Sequence, residues 1–176
     1  MSTRNAWATV AILLAIAPGC ATSESPNLGR PVSAADLAAW DISIMPDGAG
    51  LPPGSGTAAA GARIFAQKCA ACHGENGKGG SSSAMAGPAQ ITSINGAERT
   101  IANFWPYATT LFDYIRRAMP WQQPKTLTDD EVYALTAYLF TLNKLIGEND
   151  VMNAQTLPRI RMPNRDNFIV RFPEKI

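Results

Sequence analysis

The sequence predicts an all-α domain of three to four helices joined by long loops. Three segments carry that prediction. Residues 57–68 hold Ala58, Ala59, Ala60 and Ala62, strong helix formers, with Gly61 and Phe65 four apart on one face. Residues 109–118 set Leu111, Ile115 and Ala118 along one side with Phe112 adjacent, and Pro120 stops the run. Residues 128–143 open on Thr128-Asp129-Asp130-Glu131, an S/T-x-x-E capping box whose carboxylates also suit the positive end of the helix dipole. Val132, Leu135, Leu139 and Leu142 then follow helical spacing, with Tyr138 three after Leu135.

The remaining segments connect these helices. Ser33 caps a short helix over residues 33–40. Residues 45–56 carry Pro46, Gly48, Gly50, Pro52, Pro53, Gly54 and Gly56, a density of breakers that forbids regular structure and leaves an ordered loop or a linker. Gly61 in mid-helix costs about 1 kcal/mol against alanine, which points to close approach by another helix. Residues 74–83 form a Gly/Ser loop. From Gly147 the periodicity fades. Pro158, Pro163 and Pro173 predict an extended tail over the domain, made basic by Arg159, Arg161, Arg165, Arg171 and Lys175. The predicted organisation is an export signal (1–21), a linker and N-terminal extension (22–56), a helical domain (57–145) and a basic C-terminal tail (146–176).

Composition bounds the function. The chain has 176 residues, 46% of them hydrophobic, enough for one soluble domain with extensions. A formal net charge of +1, without a strongly basic run, argues against nucleic acid as a partner. Arg4 followed by an apolar run from Ala6 to Ala17 reads as an export signal, too short to span a bilayer as an ordinary transmembrane helix. Two processing readings stand. Ala17-Pro18-Gly19-Cys20 resembles a lipobox, which would leave a lipid anchor on Cys20. A cut after Ala21 would leave a soluble chain. Both place the protein outside the cytoplasm, on the periplasmic side in a bacterium.

The chemistry centres on Cys69-Ala70-Ala71-Cys72-His73. In a C-x-x-C-H run the two sulfurs add to haem vinyl groups as thioethers, and the histidine ligates the iron from the same side. A thioredoxin-type dithiol would need a surrounding βαβ pattern, and a closed zinc site would need a second ligand cluster; the sequence offers neither. With aromatics at only 8%, one covalently attached haem c would add a large share of the apolar core.

His73 is the only histidine, so the second axial ligand is sought among Met45, Met85, Met119, Met152 and Met162. Met85 follows a flexible Gly/Ser loop, with nothing in the sequence to hold it firmly. Met119 lies between a helix that stops at Pro120 and the capped final helix, a position that can be held rigidly over iron, and is the chosen ligand. His73 needs an acceptor for its other ring nitrogen, expected near Gly87-Pro88. Trp105, Tyr107 and Trp121 carry two readings: packing on the macrocycle with N–H or O–H groups to propionates, or ordinary core aromatics. Arg116 and Arg117 likewise face propionates, a partner's acidic groups, or solvent.

The pattern Cys69–His73, Met119-Pro120 and the terminal helix resembles a class I cytochrome c, with Gly61 and Phe65 against Leu135 and Tyr138 resembling that family's crossed-helix contact. A longer match lies in Trp40-Asp41-Ile42, Pro46-Asp47-Gly48, the run from Trp105 to Pro120, Asp130-Glu131-Val132-Tyr133-Ala134 and Met162-Pro163-Asn164-Arg165-Asp166. It resembles the cytochrome subunits of bacterial molybdenum sulfite dehydrogenases and of the related sulfane dehydrogenase. The resemblance implies the class I cytochrome c fold around one haem with an exposed edge, and an electron carrier that is not an enzyme by itself. It further implies a molybdenum-cofactor, sulfite-oxidising subunit as donor and another cytochrome or a terminal oxidase as acceptor. The Ser- and Ala-rich stretch 80–90 departs from that pattern.

Overall fold

The structure is a computed structural model and describes residues 28–88, 91, 95 and 98–169. The export segment, Cys20, Arg171, Pro173 and Lys175 lie outside the described residues. The chain divides into two compact units, one ending at Trp40 and one running from Asp41. In the first unit, α1 (Ala34–Trp40) starts where the sequence predicts. Ser33 Oγ accepts from the Asp36 N–H at 3.1 Å and the Asp36 carboxylate accepts from the Ser33 N–H at 3.0 Å, a reciprocal cap.

The second unit is built on a crossing of two helices. Strand β1 (Ser55–Thr57) leads directly into α2 (Ala58–Lys68), capped by Thr57 Oγ1, which accepts from the Ala60 N–H at 3.3 Å. One-turn helices α3 (Ala70–His73) and α4 (Ile101–Phe104) follow, then α5 (Ala108–Ala118) and α6 (Asp129–Leu142). The predicted capping box of α6 is present: the Glu131 N–H donates to Thr128 Oγ1 at 3.2 Å and the Thr128 N–H to Glu131 Oε2 at 2.9 Å. The three long helices match the three predicted periodic segments. The single turns α3 and α4 escape periodicity because four residues are too few to show it.

Gly61 is the contact point between α2 and α6. A Cβ there would lie 1.9 Å from the Ala134 carbonyl oxygen and 2.8 Å from Tyr138 Cβ. Gly56 on β1 presses on the same residue, its added Cβ falling 2.1 Å from Ala134 N. One turn along α2, Phe65 tilts against Tyr138 at 5.3 Å between ring centroids. At the end of the crossing, Lys68 Nζ pairs with Glu131 at 2.5 Å. The Lys68 hydrogen bond holds the Glu131 carboxyl below its usual range, against the opposing effect of burial and with help from the Thr128 N–H.

Two flanking segments are part of this unit and not loose extensions of it. Residues 45–56 are the ordered loop of the two alternatives: Tyr133 donates its hydroxyl to Pro52 O at 2.9 Å and Ser55 N–H donates to Asp130 Oδ1 at 2.8 Å. The described part of the C-terminal segment contains a short extended strand, β2 (Val151–Asn153), antiparallel to β1 in the register Ser55↔Asn153, Gly56↔Met152, Thr57↔Val151. It also sends Met152, Leu157 and Met162 into the main core. Their regular five-residue spacing (157 − 152 and 162 − 157) fits neither a period of 3.6 nor of 2, so the pattern does not show it.

Tyr133 supplies a pH-dependent test of this packing. Burial, seconded by the Asp129 charge and opposed by Arg116, pushes its phenol up to about 12. A raised folded-state pKa means the contribution is complete below the unfolded value near 10 and is lost as pH climbs from there towards 12. Tyr133→Phe is expected to cost about 1 kcal/mol at neutral pH, by leaving Pro52 O unpaired. It should also flatten the fall in stability above pH 10. Urea titrations at pH 7 and at pH 11 check both; an unchanged alkaline slope would refute the assignment.

Candidate haem-binding site

Cys69 is the hinge on which the site turns. Its N–H closes α2 by donating to Phe65 O at 2.9 Å, while its φ/ψ of −127/−36 breaks the helix and restarts it as α3. The Cys72 and His73 N–H groups then donate to Cys69 O at 3.1 and 3.0 Å. Positions 69, 72 and 73 are therefore i, i+3 and i+4 on a single turn, so two thiols and one imidazole project from one side. Cys69 is half-buried against the apolar core and Cys72 is exposed, and neither is in a disulfide. Burial pushes the free Cys69 thiol up to about 11 against the opposing charge of Lys68.

The Gly/Ser loop folds back on this turn. The Ser82 N–H donates to Cys72 O at 2.9 Å, which brings Ser83 O to 3.3 Å from His73 Nδ1. The second-nitrogen acceptor is thus the Ser83 carbonyl, and the expectation of a carbonyl near Gly87-Pro88 is corrected. The reason is that the loop reverses ten residues after His73, before Gly87 is reached. With Nδ1–H assigned as the donor to Ser83, the His73 Nε2 lone pair is left for a metal.

The methionines separate by environment. Met152 and Met162 are 2% and 1% exposed and fill the core, while Met45 is 54% exposed. Met119 is the C-cap of α5, its N–H donating to Ile115 O at 3.1 Å, and is followed by a cis bond to Pro120. Met85 is better held than its Gly/Ser surroundings predict. Its N–H donates to Gly77 O at 2.9 Å, and its carbonyl accepts from the Ile101 N–H and from Asn143 Nδ2. Cys69, Met85, Trp105 and Met119 all pack from the side on one apolar cluster.

The other candidates disperse. Trp105 stacks edge-on against Tyr114 at 5.5 Å. Tyr107 lies beneath the Arg165 guanidinium at 4.4 Å and lines a cavity with Pro46, Pro158 and Met162. Trp121 is 80% exposed. Arg116 and Arg117 have partners within the chain: Arg116 Nε donates to Asp129 Oδ1 at 2.9 Å, and Arg117 Nε to Asp113 Oδ1 at 2.6 Å. The Arg117–Asp113 pair was open to sequence reading at i, i+4 spacing. The Arg116–Asp129 pair and the Ser83 acceptor depend on loop paths that no motif encodes.

Comparison with known proteins fits this geometry. A family model for cytochrome c matches residues 58–143, from the start of α2 to the end of α6. The whole fold is similar to a chain in the crystal structure of the sulfane dehydrogenase SoxCD from Paracoccus pantotrophus. The identity is 35%, the TM-score 0.75, and the likeness covers 84% of this chain and 73% of that one. The chain belongs to the cytochrome c family. As a cytochrome c of class I it carries covalently bound haem c, and Cys69 and Cys72 fit the attachment motif. The donor set agrees with that group: two thiols and an imidazole on one turn, the imidazole already oriented through its other nitrogen. Its role is electron transfer.

Proposed function

We propose that this cytochrome c is an exported single-electron carrier that accepts electrons from a molybdenum-cofactor dehydrogenase acting on sulfite or a related reduced sulfur compound. It passes them to another cytochrome or a terminal oxidase. Haem c supplies the ferric–ferrous couple. Cys69 and Cys72 would tether it by thioethers, and His73 Nε2 and Met119 would be its iron ligands. The α2–α6 crossing immobilises Cys69 from behind, and Ser83 fixes the His73 ring plane. A rigid imidazole–thioether pair keeps geometry nearly constant between the two oxidation states and so limits reorganisation.

The observation that carries the donor assignment is the reach of the likeness. It covers 84% of the chain, whereas the general family match is confined to 58–143. The likeness therefore reaches beyond the segment that the general family match covers. The Arg4-to-Ala17 pattern supports export, and Cys20 is the place for a lipid anchor.

Stopped-flow mixing tests the donor. Oxidised holoprotein mixed with a catalytic sulfite dehydrogenase subunit and excess sulfite is expected to show haem reduction within the enzyme's turnover time, and none when the subunit is omitted. Reduction no faster than with an unrelated molybdenum enzyme would remove the sulfur-oxidation assignment and leave the cytochrome intact.

A further inference from the structure

We propose that Arg116 and Arg117 are positioning residues for Met119, clamping the end of α5 on two sides so that the thioether loop stays closed over the iron. This rests on the reading of Met119 as the axial ligand. Arg116, one turn before Met119, reaches across the loop to Asp129, the first residue of α6, at 2.9 Å. The pair therefore closes a ring of chain that contains Met119, Pro120 and the whole connection to α6. Arg117 works on the other side. Its Nε holds Asp113 one turn back at 2.6 Å, and its Nη2 donates to Ile42 O at 2.7 Å, tying α5 to the start of the second unit.

Between these anchors the loop has few bonds of its own. The Gln123 N–H donates to Pro120 O at 2.9 Å and Thr126 Oγ1 to Gln123 O at 2.8 Å. Both are local turn contacts that travel with the loop if it swings. Apart from the apolar packing of Met119 and Leu127 on the core, the contacts that fix the loop against the body of the protein are the helical N–H of Met119 and the two arginine pairs. A loop of this kind opens as a local unit at a free energy below that of global unfolding. Cutting a clamp raises the open fraction without touching the iron ligands or the core.

Imidazole in solution measures that fraction, because it takes the iron only when Met119 has left it. Its apparent affinity is the intrinsic affinity scaled by the fraction open. Met119→Ala holoprotein sets the fully open limit. Ferric Arg116→Gln and Arg117→Gln are each expected to bind imidazole roughly 3–10-fold more tightly than the parent, on that scaling. Asp129→Asn, cutting the same pair from its other end, should match Arg116→Gln. Asp129→Glu, which restores the pair, should return towards the parent. Arg161→Gln removes an exposed arginine, paired with Asp166 away from this loop, and should change nothing. Parent-like affinity in both arginine variants, beside tight binding by Met119→Ala, would overturn the clamp. An equal rise in Arg161→Gln would also overturn it, as general loosening. Parent-like binding by Met119→Ala would instead overturn the ligand reading beneath it.

Discussion

Gly61→Val is expected to abolish accumulation of folded holoprotein, and Gly61→Ala to destabilise it by several kcal/mol. The argument is a competition of two effects of opposite sign. On helix propensity alone, alanine in place of glycine would gain about 1 kcal/mol. Against this, the first added carbon would sit 1.9 Å from the Ala134 carbonyl oxygen and 2.5 Å from its carbon. Ordinary contact begins near 3.4 Å, so the helices must part by about 1.5 Å (3.4 − 1.9). The obstacle is backbone in the middle of α6, held by its own helical bonds, so no rotamer change relieves it.

Parting the helices also loosens what the crossing holds. Phe65–Tyr138 and Lys68–Glu131 span the same interface, and Gly56 meets Ala134 from β1. Overpacking in well-packed cores costs about 1–3 kcal/mol and sometimes more. Here it falls on a contact shared by β1, α2 and α6, in a domain whose total stability is of order 5–15 kcal/mol. Guanidinium titration of Gly61→Ala, and haem-stained yield of Gly61→Val after co-expression of the haem-attachment machinery, are the measurements. A Gly61→Ala protein within 0.5 kcal/mol of the parent would show that the crossing is wider than described.

That glycine also shows what the sequence made legible. Glycine inside an alanine-rich helix has no local benefit, so its presence implied a neighbouring backbone, and the Gly61/Phe65 face did meet α6. The partner was only half foreseen: Tyr138 is in contact, but the residue beneath Gly61 is Ala134, not Leu135. Capping boxes were readable because both partners lie within four residues, as at Thr128–Glu131. The haem motif was readable because its chemistry fixes residue types at fixed spacing. What stayed hidden was whatever depends on the path of an irregular loop. Ser83 faces His73 only because Ser82 bonds to Cys72 O, and Met152 enters the core only because β2 pairs with a three-residue strand. Neither leaves a periodic trace.

The axial ligand is where sequence and structure leave a choice that experiment can settle sharply. Both Met85 and Met119 pack on the cluster that Cys69 borders, and both have fixed backbones. They differ in what holds them. The Met85 carbonyl is bound by Ile101 and by Asn143 at the C-cap of α6, and a Cβ added at Gly77 would lie 3.3 Å from Met85 Cβ, contacts that suit a packing residue. Met119 terminates a helix, with two arginine pairs bracing that helix end.

Met119→Ala is therefore expected to lose the weak red-end absorption of a methionine–iron bond. Its reduction potential should fall by an amount on the order of tenths of a volt, since thioether ligation raises the potential and axial ligands tune it over about 0.8 V. Met85→Ala should keep the band and the potential. Because Met85 is only partly buried, it should lose no more than the roughly 2 kcal/mol at the low end for core Met→Ala changes. Redox titration and optical spectra of the two holoproteins decide it. If Met85→Ala loses the band while Met119→Ala keeps it, the roles are reversed and the loop after the haem motif supplies the ligand.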